Sequence, residues 1–152
     1  TCPAFTAGGM KHRTNGPDGL GELWDRFVPR MGEVPHQLET DEAYGLMDNF
    51  ELDAAGATVA FDYLACVPVA EVGELLEGME SWVVPEGRYA ALTVKFTELM
   101  GGFKHLMNTW LPDSGYVYNY DLPEMEYYPP AFDPGDPDTT VEILMPVKEK
   151  TG

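Results

Sequence analysis

The chain has 152 residues and a formal charge of −17, from 26 acidic against nine basic side chains. The length suits one domain with a core of its own, and the 44% hydrophobic and 12% aromatic content argues against disorder. The charge works against phosphate contacts, which need basic groups, so neither direct nucleic-acid binding nor anionic membrane binding is expected.

A cationic partner would be drawn by the net field, although an acidic surface also serves plain solubility. No run of about 18 apolar residues is present, so no membrane span is expected. The opening TCPAFTAGGMKHR lacks the long apolar stretch of a signal peptide. Cys2 and Cys66 form no CxxC pattern, which makes the cytoplasm the default compartment. Cys66 lies in an apolar run and reads as a small core residue. His12, His36 and His105 have no ligand spacing, so neither a metal nor a cofactor is predicted.

Residues 3–13 read as a first strand, broken by TNGPDG. A helix over 18–31 follows, with Asp18 as candidate N-cap and Leu20, Trp24, Phe27 and Met31 on one apolar face. Pro29 is expected to end or kink it. EAYGLMDNF and TVAFDYLACVPV are rich in strand formers and read as an antiparallel pair over 42–50 and 58–67. In the second, Phe61, Tyr63 and Ala65 share a face, and Ala60, Asp62, Leu64 and Cys66 share the other. Residues 68–78 read as a connection. ESWVVPEGRYAALTVKF reads as a short strand, a turn and a longer strand ending near 96.

A second helix is predicted over 97–110, capped by Thr97, with Leu99, Phe103, Leu106, Met107 and Trp110 on its apolar face. Gly101 and Gly102 weaken it, and His105 faces away from the stripe. YVYNY, EMEYY and TVEILMPV read as strands, with a loop dense in Pro, Gly and Asp between the last two. The element order of strand, helix, strand, strand occurs twice. A duplicated α+β unit of this kind places helices on one face of a sheet and a groove between the halves.

Seven segments then occur in one order: LWDRF on the first helix, AYG at 43–45, DYLA at 62–65, VPEGRYA at 84–90, WLPDSGY at 110–116, MEYY at 125–128 and MPVK at 145–148. The series resembles the gyrase-inhibitor-like (GyrI-like) family, which is also the effector-binding domain of AraC-type and MerR-type regulators and of some integron-cassette proteins. The similarity covers residues 5–148. It implies an α+β fold of two βαββ units related by a pseudo-two-fold, with an aromatic-lined central cleft that takes bulky, apolar, often cationic compounds. The family's pocket-floor glutamate maps to Glu126; Met125 stands where the family often has Phe. No DNA-binding segment is expected, as in the stand-alone members.

Strand alternation puts Glu124 and Glu126 on one face and does not separate them; the resemblance selects Glu126, with Tyr128 beside it. Asp113, Asp121 and Glu124 are expected to stay in water. Trp24, Tyr63 and Trp110, then Tyr44 and Phe103, with Tyr89 and Tyr128, are the candidate pocket rings, although large aromatics at such spacing also fill cores. Three functions stand open: binding of a hydrophobic, cationic small molecule; hydrolysis of cyclopropane-bearing genotoxins with Glu126 as general base; and an acidic protein-interaction module of gyrase-inhibitor type. An exposed sheet edge would permit a homodimer, though no residue pattern specifies one.

Overall fold

Runs of β-branched and aromatic residues punctuated by Gly, Pro and Asp favour short antiparallel strands, and such strands dominate the fold. A computed structural model describes residues 2–14, 19–38, 41–55, 58–71, 77–133 and 135–150. The elements are β1 (Phe5–Thr14), α1 (Leu20–Phe27), β2 (Ala43–Leu52), β3 (Thr58–Val69), β4 (Glu80–Val84), β5 (Tyr89–Lys95), α2 (Leu99–His105), β6 (Tyr116–Tyr118), β7 (Glu124–Tyr128) and β8 (Thr140–Glu149). One antiparallel sheet runs β4-β1-β3-β2-β7-β8-β5, and β6 adds to β8. The first βαββ unit contributes β1-β3-β2 and the second β7-β8-β5, so the two inner strands, β2 and β7, form the seam between the halves.

The sequence around 80–95 folds differently from a hairpin. β4 pairs with β1, at one edge of the sheet, while β5 pairs with β8, at the other. The turn between them therefore spans the molecule, and Cys2 and Gly87 exchange backbone hydrogen bonds of 2.7 and 3.1 Å across it. This contact closes a second core on the sheet face away from the helices, built on Leu46, Leu64, Cys66 and Met125.

Both helices pack on the other face. Leu23 and Phe27 of α1 are fully buried against Tyr63 and Ala65; the predicted stripe named Phe27 but not Leu23. Trp24 sits at the border of that stripe, half-buried. The helix ends sooner than 31, because the chain tightens into a 3-10 helix over Val28–Glu33 with Pro29 in its first turn, where a missing N–H costs nothing. Asp18, the candidate N-cap, lies outside the described residues.

The second predicted helix is divided. Phe96–Glu98 is a 3-10 turn, α2 follows, and Leu106–Trp110 widens into a π-helical turn before a last 3-10 turn at Leu111–Asp113. Thr97 does not cap α2: the chain leaves β5 directly into the 3-10 turn, and Glu98 occupies the N-cap without a side-chain bond. Gly102, expected only to weaken the helix, is the point of closest packing. A Cβ there would meet Ile143 Cδ1 at 2.7 Å and Val94 Cγ1 at 3.0 Å. Among the described residues, no helix is long and apolar enough to cross a membrane.

Candidate functional site

The register of the seam sets the site. Gly45 of β2 lies opposite Glu126 of β7, and Ala65 of β3 lies opposite Gly45. Glu126 therefore points to the helix face in the middle of the sheet, where it is 6% exposed. The Tyr63 hydroxyl donates to Glu126 Oε1 at 2.6 Å and the Tyr128 hydroxyl donates to the same oxygen at 2.7 Å. Trp24 Nε1–H donates to the Tyr63 hydroxyl oxygen at 3.0 Å. Gly45 makes this possible. A Cβ at that position would collide with the Tyr63 hydroxyl and come within 2.8 Å of Glu126 Oε1.

Burial pushes the Glu126 carboxyl above its ordinary range, and the two tyrosine hydroxyls pull the other way by solvating its charge. The tyrosines pay the converse penalty. Burial, and then the adjacent carboxylate, raise Tyr63 and Tyr128 well above the ordinary phenol value. Both remain neutral donors at any physiological pH.

Beside this network an apolar cavity of about 350 Å³ opens, lined by Trp24, Phe96, Tyr128, Phe132, Val28 and Met31. Tyr128 is its central ring, with centroids 5.3 Å from Trp24, 6.2 Å from Phe96 and 4.9 Å from Phe132, each edge-on. Two walls of the cavity, Trp24 and Tyr128, are thus wired by hydrogen bonds to the Glu126 carboxylate. Asp25, exposed on α1, adds an acid to the lining.

The other candidate rings are placed elsewhere. Phe103 packs between the helix-face clusters of the two halves. Trp110 stacks on Tyr116, centroids 6.2 Å apart, over the core that α2 makes with β8. Tyr44 and Tyr89 lie on the opposite face and are not brought to Glu126. Tyr44 neighbours Gly45 in the strand and so points the other way, against Phe5 and Tyr127, while the Tyr89 hydroxyl donates to the Pro123 carbonyl at 3.1 Å. Phe96 and Phe132 were not singled out in the sequence. The one available signal was Phe132, a lone ring in a loop of Pro, Gly and Asp.

The expectation for Glu124 is also overturned. Glu124 does not stay in water; it is 8% exposed. β7 is covered along its whole length on the helix face, so the alternation that turns Glu126 inward turns Glu124 inward too. Asp113 and Asp121 are exposed, as expected.

Two βαββ units joined edge to edge across β2 and β7, with both helices on one face, define the duplicated α+β class to which GyrI-like effector-binding domains belong. The chain belongs to the Cass2 family of integron-associated effector binding proteins, whose model matches residues 1–147. The transcriptional regulator BrlR of Pseudomonas aeruginosa is 30% identical over 149 residues, covering 95% of this chain and 53% of that protein, so the chain spans about half the length of this curated relative. Among solved structures, an integron cassette protein from the mobile metagenome of Vibrio cholerae is similar at 22% identity and a TM-score of 0.67, over 97% of this chain and 92% of that one. SAV2435 bound to tetraphenylphosphonium is similar in fold at 15% identity and a TM-score of 0.73, over 97% and 90%.

Proposed function

We propose that the protein binds a bulky, apolar, cationic small molecule in the cavity beside Glu126, as a sensing or sequestering module. The observation that carries this reading is the connection of the cavity's walls to a buried carboxylate through Trp24, Tyr63 and Tyr128. The apolar lining rewards desolvation of a large hydrophobic guest. Each ring facing a cation adds about 0.5–2 kcal/mol, and a phenol that donates to a carboxylate presents a more electron-rich ring. Membership of an effector-binding family supports the same reading, as does a relative of the same fold bound to a tetraaryl phosphonium cation.

A hydrolytic role for Glu126 is less well supported. Oε1 already accepts two hydroxyl donors, which leaves that oxygen poorly placed to take a proton from water. Among the described residues, nothing in the geometry singles out a protein-docking surface over the cavity.

Titration calorimetry with tetraphenylphosphonium and with a rhodamine dye tests the proposal. Wild-type protein is expected to bind both, and Glu126→Gln to weaken binding by about 10-fold or more, the effect of losing about 1.4 kcal/mol or more of charge recognition. Unchanged affinity in Glu126→Gln would remove Glu126 from the site.

A further inference from the structure

The cavity at Trp24 has a deep side and an open side. Ala43 and Tyr128 form the deep side, at 8% and 9% exposure. Glu126 is joined to the walls by the hydrogen bonds of Tyr63 and Tyr128 but is not itself part of the lining. The open side belongs to α1. Gly21, Asp25 and Val28 recur at helical spacing, which puts them on one stripe beside the buried Leu23 and Phe27. All three are exposed, Val28 to 56%, and Phe96, from the turn after β5, brings a second exposed apolar group to the lining.

The helix itself calls for neither Gly21 nor Asp25. Glycine and aspartate are both poor helix formers. A Cβ at 21 would meet nothing within 4 Å, so no close packing requires the glycine there; its effect is to leave the entrance of the cavity open. Asp25 alone among the lining residues carries a charge. Among the described residues it takes part in no ion pair or hydrogen bond, while Lys11, Arg13, Arg30, Arg88 and Lys95 hold other acids.

A cation driven to the deep side would exchange its water for ring surfaces alone. At the open side it keeps part of its hydration and gains a carboxylate. We infer that Asp25 is a specificity-determining residue, the acid that the positive charge of a guest meets directly. The site then prefers cations whose charge lies at one end of an apolar aromatic body, with the body among Trp24, Phe96 and Tyr128 and the head at the entrance beside Asp25. This rests on the reading that the cavity takes a cation. Glu126 enriches the ring walls through its phenol donors, and Asp25 receives the head.

The test is titration calorimetry with trimethyl(naphthalen-1-ylmethyl)ammonium, neutral 1-naphthalenemethanol and tetraphenylphosphonium. It is run at about 20 mM and about 500 mM sodium chloride, where charges are screened over roughly 20 Å and roughly 4 Å. Asp25→Asn is expected to weaken the ammonium about three- to fivefold at low salt, with a smaller loss at high salt and no change for the alcohol. Asp25→Lys should weaken the ammonium by about 10-fold or more at low salt. Tetraphenylphosphonium, whose charge is enclosed by its rings, should change by less than about twofold in Asp25→Asn. Glu22→Gln, exposed on the same helix and outside the lining, controls for the general acidic field and should leave all three compounds unchanged. Gly21→Leu should weaken the ammonium and the alcohol alike by narrowing the entrance. An Asp25→Asn loss that is absent, shared by the alcohol or matched by Glu22→Gln overturns the proposal, as does undiminished binding in Gly21→Leu. Wild-type protein that binds tetraphenylphosphonium in a Glu126-dependent way but not the ammonium also overturns it, and leaves the reading of the cavity standing. Wild-type protein that binds neither cation removes both.

Discussion

Gly45 and Glu126 face each other across the seam, and each is intelligible only through the other. The carboxylate needs two phenols within hydrogen-bond reach to be tolerable in a dry interior, and the Tyr63 hydroxyl reaches it through the space a side chain at 45 would fill. Gly45→Ala is therefore expected to cost about 1–3 kcal/mol in chemical denaturation, as overpacking does, and to weaken cation binding by displacing Tyr63 from Glu126. The sequence made part of this legible. Alternation in TVAFDYLACVPV grouped Phe61, Tyr63 and Ala65 correctly, and MEYY set Glu126 beside Tyr128. It did not reveal that Tyr44 and Tyr89 turn away, because the face taken by a motif residue depends on a register fixed by distant strands. Nor did it reveal that Glu124 is covered, because Tyr118, which hydrogen-bonds its carboxyl, is brought to it by the fold and not by local pattern.

At the scale of elements, strands and turns were easier to read than helix ends. Strand positions follow from period-two patterning, and β2, β3, β7 and β8 lie close to where that pattern puts them. The end of α1 and the divided second helix depend on local hydrogen bonding that composition does not specify. Adjacent glycines illustrate the difference. Gly101 and Gly102 look alike in sequence, yet a Cβ at 101 would meet open space while one at 102 would press on Ile143 and Val94. Gly101→Ala should raise stability by about 0.5–1 kcal/mol, through helix propensity and a less flexible unfolded chain. Gly102→Ala should show none of that gain. Paired urea-unfolding curves check both, and a gain at 102 equal to that at 101 would contradict the packing described for α2 on β8.

At the scale of the whole molecule, the surplus of acid and the buried carboxyls make stability depend on pH in a definite direction. Burial, then the neighbouring Glu126 charge, push Glu124 from 4.5 up to about 7, against the opposing hydrogen bond from Tyr118. The folded state thus holds this proton more tightly than the unfolded chain. The resulting stabilisation is complete below about pH 4.5 and is lost as pH rises through about 7, a contribution on the order of 3 kcal/mol. Glu126 is shifted the same way. The melting temperature should fall between pH 5 and pH 8, and Glu124→Gln should flatten that fall. A slope equal in the variant and the wild type would remove Glu124 from the effect and leave it to Glu126 and the remaining acidic charge of the chain.

The claim on which the account turns is that a buried carboxylate selects charge at an aromatic cavity. Its most direct measurement is the ratio of affinities for tetraphenylphosphonium and for the similarly bulky but neutral triphenylphosphine oxide, in wild type and in Glu126→Gln. The account predicts a clear preference for the cation in wild type that collapses toward parity in the variant. Equal affinity for the two compounds in wild type, or a preference undiminished by Glu126→Gln, would contradict it.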